Sequence, residues 1–581
     1  MNNNISIMKT EYKHLYPIQI ISVLVVSINS LIDSFMTAHF LGTNALAAIA
    51  FFSPIITIIN MSLLIVSGIQ VLCPRFIGYG QRDRINSLFT TGTLFCCSLG
   101  TLLTILCISF RLTFATMLGA SRELIPLLSD YILGYSFGIT AQILSQLFIT
   151  MLPLNNHQHM PYYSIFAMIF MNSTLNIIFL NYFSMGCFGM GLATSISYIV
   201  STLILFFGFI SEDNTICFNI HSISFKDFPE ALKLGLPVLF FNIGVSLKSF
   251  ILNNTLLIST GSAAVAVLNV QGSLCSLLGS IPYGCASALM ILGSIYYGEN
   301  DRKSLIECMK YTIKIGMIIC IIIITLLITL APLISSMLFS LTDEAYGIAI
   351  WMLRIFPLFL IFSLILNALI KIYNITGKIW LVNFTSVTEQ VLIAIIAIIM
   401  VYFIGINGVW WSFPLATLFC IIIIGGFVFF KAKGFTIKPD DWMMLSDNFG
   451  ASNDDYIDMT IKSMDDVIGM SKIIIEFCKR KGMGDKESFY AGLAIEEMAG
   501  NIVMHGFTSK EKQIIEVKVV KKENLVIRIQ DNCPLFDPKK RIDQFYPDDI
   551  CRNVGIRLIA GIAKDMNYQN NIGINTLFIT I

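Results

Sequence analysis

Two small sets of residues in this 581-residue sequence could do chemistry, and they lie in segments of opposite character. The first is a single carboxylate. Asp33 is the only acidic residue well inside the first six apolar runs, within Ser30-Leu31-Ile32-Asp33-Ser34-Phe35-Met36. A carboxylate in lipid costs several kcal/mol, so its presence there asks for a reason. It could bind Na⁺ or take up a proton. Either event neutralises the site, and neutralisation that favours one conformation couples an ion gradient to movement. The second set is Glu497 and Asn501, which share one helical face because they are four residues apart. There the carboxylate can polarise a water and the amide oxygen can help hold Mg²⁺, a pairing suited to phosphate chemistry.

The elements that must hold these residues differ as much as the residues do. Overall 55% of the chain is hydrophobic and 13% charged, with a mean hydropathy of +0.76; soluble domains carry about 25% charge. The apolar character is concentrated before Lys431, in about twelve runs long enough to cross a bilayer, near 16–40, 46–73, 87–110, 127–151, 161–182, 188–210, 231–258, 264–292, 307–338, 347–372, 378–403 and 408–430. Backbone polar groups in lipid must pair internally, so these runs are expected to be helices. A formal net charge of +1 gives no patch suited to nucleic acid. The 14 cysteines are scattered through apolar runs without paired spacing and read as small buried hydrophobes.

Loop cations set the expected orientation. With the N-terminus inside, the inner loops hold Lys9, Lys13, Arg75, Arg82, Arg84, Lys226, Lys233, Arg302, Lys303, Lys371, Lys378, Lys431 and Lys433, and the outer loops keep Arg111 and Arg122. That asymmetry places both termini in the cytoplasm of a multi-pass plasma-membrane protein. The spans divide into two sixes, 1–212 and 213–432, followed by a linker at 433–454 and a soluble segment at 455–581. The halves echo one another: Gly78-Tyr79-Gly80-Gln81-Arg82-Asp83-Arg84 follows the second run, and Gly298-Glu299-Asn300-Asp301-Arg302 follows the eighth. An even repeat relates the halves by an axis along the membrane normal, with a site between them exposed alternately to either side.

Several fragments together carry a family resemblance. Ser30 to Met36 with Leu41-Gly42 and Ala45-Leu46-Ala47-Ala48, Asn172-Ser173-Thr174-Leu175-Asn176, Gly186-Cys187-Phe188-Gly189-Met190-Gly191-Leu192-Ala193-Thr194, Leu234-Gly235-Leu236-Pro237 and Gly405-Ile406-Asn407-Gly408-Val409-Trp410 resemble the multidrug and toxin extrusion (MATE) transporters over about residues 10–432. The resemblance implies a cation-coupling site at Asp33, Asn172, Asn176 and Thr194. The family's second carboxylate is Asn176 here, leaving one titratable group. In the second half Lys248, Arg354, Lys371 and Glu389 interrupt apolar runs. Lys248 and Glu389 could face the central cavity; Lys248 could equally snorkel or pair with a carboxylate.

Beyond residue 455 the pattern is that of a soluble domain. Helices are expected over Asp465 to Lys481, Lys486 to Phe507 and Cys551 to Met566, and strands over Ile514 to Val520, Leu525 to Gln530 and Thr576 to Ile581. This is the pattern of an α/β two-layer sandwich. Ala494-Ile495-Glu496-Glu497-Met498-Ala499-Gly500-Asn501-Ile502-Val503-Met504-His505-Gly506, Gln530-Asp531-Asn532-Cys533-Pro534-Leu535-Phe536-Asp537-Pro538 and Asn553-Val554-Gly555-Ile556-Arg557 resemble the histidine-kinase-like ATPases, and within them the anti-sigma-factor serine kinases. The resemblance implies ATP and Mg²⁺ as ligands, Glu497 as catalytic base, Asn501 at the metal, and Asp531 and Gly555 at the nucleotide. Cys533 replaces a glycine, and Asn553 and Val554 stand where a glycine pair is usual, so the phosphate cradle is altered.

These readings imply an efflux transporter exchanging amphipathic, in part cationic, small molecules for H⁺ or Na⁺ across the bilayer, with a nucleotide-responsive tail. A membrane-anchored sensor whose tail phosphorylates or sequesters a cytosolic regulatory protein, and a flippase for lipid-linked precursors, are the rival readings.

Overall fold

The computed structural model describes residues 7–581 apart from 43–44, 46–47, 50, 119–121, 156, 158, 211–215, 260, 339–343, 447–448, 451–453, 508–512, 522–523, 539–553 and 572. Among the described residues ten helices are long and apolar enough to cross a membrane, and the pair Leu124–Ser136 and Ile139–Asn155, bent by 47°, makes an eleventh. The 34-residue helix Ile7–Phe40, which holds the first expected apolar run, precedes them and takes the number one. Span two is Ser53–Gly78, three Arg82–Ser109, five Met160–Asn181, six Gly186–Phe207, seven Phe228–Ser259, eight Gly261–Gly298, nine Arg302–Leu338, ten Ala345–Ile375, eleven Ile379–Ile404 and twelve Asn407–Ala432.

The halves meet where span two packs on spans seven and eight, and span one on span eight. At the tail-side ends of spans two and eight the backbones touch. A Cβ on Gly78 would lie 2.2 Å from the Ile295 carbonyl oxygen, and one on Gly298 2.2 Å from that of Arg75. Only glycine fits at such an approach. Arg75 strengthens the closure, donating 2.6 Å to the Ile375 carbonyl of the second half and 3.1 Å to Glu230. Arg84 holds Asp227 through a fork of 2.5 and 3.0 Å, the geometry that makes arginine–carboxylate pairs directional.

After span twelve the chain stays on the second half. Met443 is fully buried, and Lys378 and Lys431 donate to the Met444 carbonyl at 2.5 and 3.0 Å. Tyr373 donates to the Trp442 carbonyl at 2.8 Å and Arg302 to Asp440 at 2.9 Å. The segment between membrane and tail is therefore packed along much of its length.

The tail is a five-stranded sheet in the order β1-β2-β3-β5-β4, antiparallel throughout, built from β1 Tyr456–Ile461, β2 Ile515–Lys521, β3 Leu525–Asp531, β4 Asp565–Asn571 and β5 Ile574–Thr580. Helices Met464–Arg480, Asp485–Asn501 and Val554–Ile562 cover one face. Alternation explains the layering: Val517, Val519, Ile527, Ile529, Leu577 and Ile579 point one way and pack on Ile474, Phe477, Ala494, Ile495 and Met498. Each such side chain contributes about 1.5–3 kcal/mol when fully buried.

The two-layer expectation holds, with local corrections. Strands β1 and β4 were not anticipated. The last helix, expected over Cys551 to Met566, ends at Ile562, and Met566 lies in β4; residues 551–553, including Asn553, lie outside the described set. Polar β4 (Asp565–Asn571) lacks an apolar alternation and is a strand because it pairs with β5 across its whole length. The second helix stops at Asn501 and continues as a π-turn, Ile502–Gly506, before Phe507.

Candidate functional site

Asp33 lies about two turns before the end of span one, on the side of spans five and six. Its carboxylate accepts hydrogen bonds from Asn176 at 2.9 Å and from Asn29, one helical turn earlier, at 3.3 Å. Asn176 also donates 2.9 Å to the Asn172 side chain, which donates 3.1 Å to Thr194 of span six. The i,i+4 spacing of Asn172 and Asn176 puts both amides on one face of span five, and both are 0% exposed. The structure thus brings Asp33, Asn172, Asn176 and Thr194 into one polar chain across three spans.

Two oxygens of this chain are unsatisfied. Asn29 Oδ1 and Asn176 Oδ1 are buried without a hydrogen-bond partner among the described residues. Such atoms cost about 1–3 kcal/mol each unless something positive meets them. Together with the Asp33 carboxylate they offer the oxygen donors a hard cation takes. A protonated Asp33 would instead present one O–H to the same cluster. Tyr131, Tyr135 and Tyr198 stand within electrostatic reach of Asp33. Phe52 packs edge-on against the first two, with ring centroids 5.1 and 4.8 Å apart, so the polar chain sits in an aromatic wall.

In the second half, Glu389 accepts a 3.1 Å hydrogen bond from Thr417, and Lys248 lies within its electrostatic reach. The Lys248 ammonium stands 5.5 Å from the Phe413 ring centre. This arrangement favours Lys248 as the partner of a carboxylate. Lys371 is buried with its ammonium 4.4 Å over Tyr283, and Arg354 lies 6.0 Å from Trp351. Neither joins the Glu389 group.

In the tail, the helix Asp485–Asn501 carries Glu497 and Asn501 on its half-buried side. Gly555 lies directly over Glu497: a Cβ there would fall 1.8 Å from Glu497 Oε2. Asp531 ends β3 and is buried, its Oδ1 accepting from the Cys533 backbone N–H at 2.9 Å and from Asn575 at 2.8 Å. Burial raises its pKa, against the opposing pull of those two donors. Asn575 in turn accepts from Tyr568 and Asn570 at 2.6 Å each, so one buried network fixes Asp531. The Cys533 side chain lies against Gly506, where a Cβ would come within 3.1 Å of its Cβ. His505 follows Asn501 on the π-turn.

The MatE family profile matches residues 19–179 and 237–400, more than half of the chain. The chain belongs to the MatE family. Its tail, residues 463–581, matches the histidine kinase-like ATPase domain. Among curated proteins, the probable multidrug resistance protein YoeA of Bacillus subtilis (strain 168) is 24% identical over 330 residues, 54% of this chain and 69% of YoeA. Among solved structures, MATE in complex with MaL6 superposes with a TM-score of 0.68 at 21% identity, covering 73% of this chain and 96% of that one. An outward-facing multidrug resistance MATE transporter gives 0.68 at 20% identity, and a MOP-superfamily transporter from Pyrococcus furiosus, described with a binding pocket of reversed polarity, gives 0.66 at 20%; each covers 73% of this chain and 96% of that one. At these identities the likeness speaks for the fold.

For this MatE protein the motif fragments located the Asp33 chain but missed Asn29, although it lies one turn before Asp33 on the same helix. That i,i+4 spacing was the readable signal. The role of Asn575 was not readable, because it reaches Asp531 through the β3–β5 pairing, with Asp531 and Asn575 in direct register.

Proposed function

We propose that this MatE protein exports amphipathic small molecules, cationic ones among them, in exchange for H⁺ or Na⁺, and that Asp33 is the coupling group. The observation that carries the reading is the polar chain Asp33–Asn176–Asn172–Thr194 with its unsatisfied amide oxygens. A cation or proton at Asp33 changes the charge at the point where spans one, five and six share hydrogen bonds, and so biases how they pack. Loop cations support an orientation with both termini in the cytoplasm. The test is flux in proteoliposomes under an imposed proton or sodium gradient; efflux indifferent to both would overturn antiport.

Asn176 offers a sharper test of the ion. Asn176→Asp places a second carboxylate 2.9 Å from the first, and like charges so close cannot both ionise without a counter-cation. Na⁺-stimulated efflux should rise at least threefold in this variant, read as the rate with and without Na⁺ at fixed pH. An unchanged ratio would argue that the span-five amides serve packing alone.

The tail supports a nucleotide-responsive regulatory role, with Glu497, Asn501, Asp531 and Gly555 as the residues that would hold ATP and Mg²⁺. Asp531 fits this use, since burial at the end of β3 and the donors Asn575 and Cys533 hold its carboxylate in one orientation. ATP would supply a phosphoryl group, with Glu497 placed to accept a proton. Asp531→Asn should weaken ATP binding by the full-length protein at least tenfold, about 1.4 kcal/mol. Equal affinity, measured by calorimetry, would show that the tail does not read the base through Asp531; no binding by wild type would leave a docking domain.

A further inference from the structure

The helices cover one face of the tail sheet, and the opposite face is covered by the transporter. Strand pairing aligns one row across all five strands: Asp458, Lys518, Arg528, Phe578 and Asn567. Asp458 accepts from Lys303 at 3.0 Å. Lys518 holds Asp301 and donates to Ser304 at 2.7 Å. Arg528 forks between Glu299 and Asp301, 3.0 Å from the latter, while Gln530 of the neighbouring row donates to Glu299 at 3.2 Å. At the other end of the row Asn567 donates 2.7 Å to the Gly80 carbonyl. The charged members are sunk in the contact, Lys518 8% and Arg528 7% exposed. Burial alone would favour the neutral acid at Asp301, but Lys518 and Arg528 outweigh it and hold its pKa well below the carboxylate range.

The two contacted loops are the repeat-related pair, one after span two and the other after span eight. They flank the backbone contact of Gly78 with Gly298, where the two halves are closed. Any opening of that side must part Gly78 from Gly298, and Asn567 cannot follow Gly80 while Arg528 follows Glu299 and Asp301, because both sit on one rigid sheet.

We propose that the polar face of the tail sheet is a clasp across the cytoplasmic mouth, binding both repeat-related loops at once and holding the halves together until one contact is released. The inference rests on the reading of the tail as a regulator and adds the surface through which it would act. Charge complementarity sets the register of such a contact, and reversing one buried charge leaves its partners opposed.

Hydrogen exchange on the full-length protein in detergent or nanodiscs tests this without substrate or nucleotide, so its outcome is independent of the antiport and ATP assays. Arg528→Glu should raise exchange severalfold in both 298–304 and 78–84, although Arg528 touches only Glu299 and Asp301 in the loop after span eight. Adding Glu299→Arg should restore protection in both. Strands β3 and β5 should stay protected in each variant, which separates release from unfolding; if they lose protection, the milder Arg528→Gln takes the place of Arg528→Glu. A rise confined to 298–304, or none in either loop, would overturn the clasp.

Discussion

Asp33→Asn should abolish gradient-driven efflux while leaving the fold intact. The substitution keeps the shape and one of the two contacts, since Asn176 and Asn29 now donate to opposite carboxylate oxygens, at 2.9 and 3.3 Å, and an amide has a single oxygen to accept with. It removes the charge, and with it any difference between ion-loaded and ion-free states. A site with equal affinity in both conformations shifts nothing, however well it is packed. Coupled flux should fall at least a hundredfold, to the leak of empty vesicles, with an unchanged melting profile of the purified protein. Efflux within twofold of wild type would remove Asp33 from the mechanism and direct attention to Glu389 with Lys248. Downhill exchange of substrate in the same variant separates lost coupling from lost transport: it should survive, because the aromatic wall of Tyr131, Tyr135 and Phe52 is untouched.

Gly298→Val should have the second-largest effect, acting on closure of the halves. A Cβ at this position would lie 2.2 Å from the Arg75 carbonyl oxygen and 3.1 Å from Gly78 Cα, both backbone atoms that cannot move aside. Overpacking a well-fitted contact typically costs about 1–3 kcal/mol. That cost falls on the state closed at the tail side alone, so the closed-to-open ratio should drop by about tenfold or more, at ~1.4 kcal/mol per factor of ten. Loss of protection in 75–80 and 295–301 by hydrogen exchange would report it, with span interiors unchanged. Protection equal to wild type would mean that the glycine contact does not belong to the transport cycle.

The same residues show how far a sequence reading reaches. Asp33 was legible because a charge in an apolar run is conspicuous, and Asn172, Asn176 and Thr194 through the family resemblance of the segments that carry them. Glu497 and Asn501 share a helical face by their spacing, and the resemblance of their segment gave that spacing a meaning. What escaped was set by pairing between distant segments. Strand β4 carries Asn567, Tyr568, Gln569 and Asn570, a sequence with no strand pattern, and takes its form from β5. Asn575 acquires its partner Asp531 the same way. The clasp escaped for a related reason: Lys518, Arg528 and Gln530 look like the solvated face of an ordinary sheet, and Glu299 and Asp301 like any charged turn.

By itself, then, the sequence determined which segments are apolar enough to cross a membrane and which residues have a chemistry that stands out against their surroundings. Those follow from local composition and helical period, because transfer of a side chain between water and lipid depends on that side chain alone. Tertiary structure decided which polar groups satisfy one another, that Gly78 and Gly298 bring the halves into backbone contact, and that the tail sheet spans both loops. These are pairings between residues hundreds of positions apart, such as Gly80 with Asn567, and hydrogen bonds form only at contact distance. No local pattern encodes them; the fold of both domains must form before either partner is within reach.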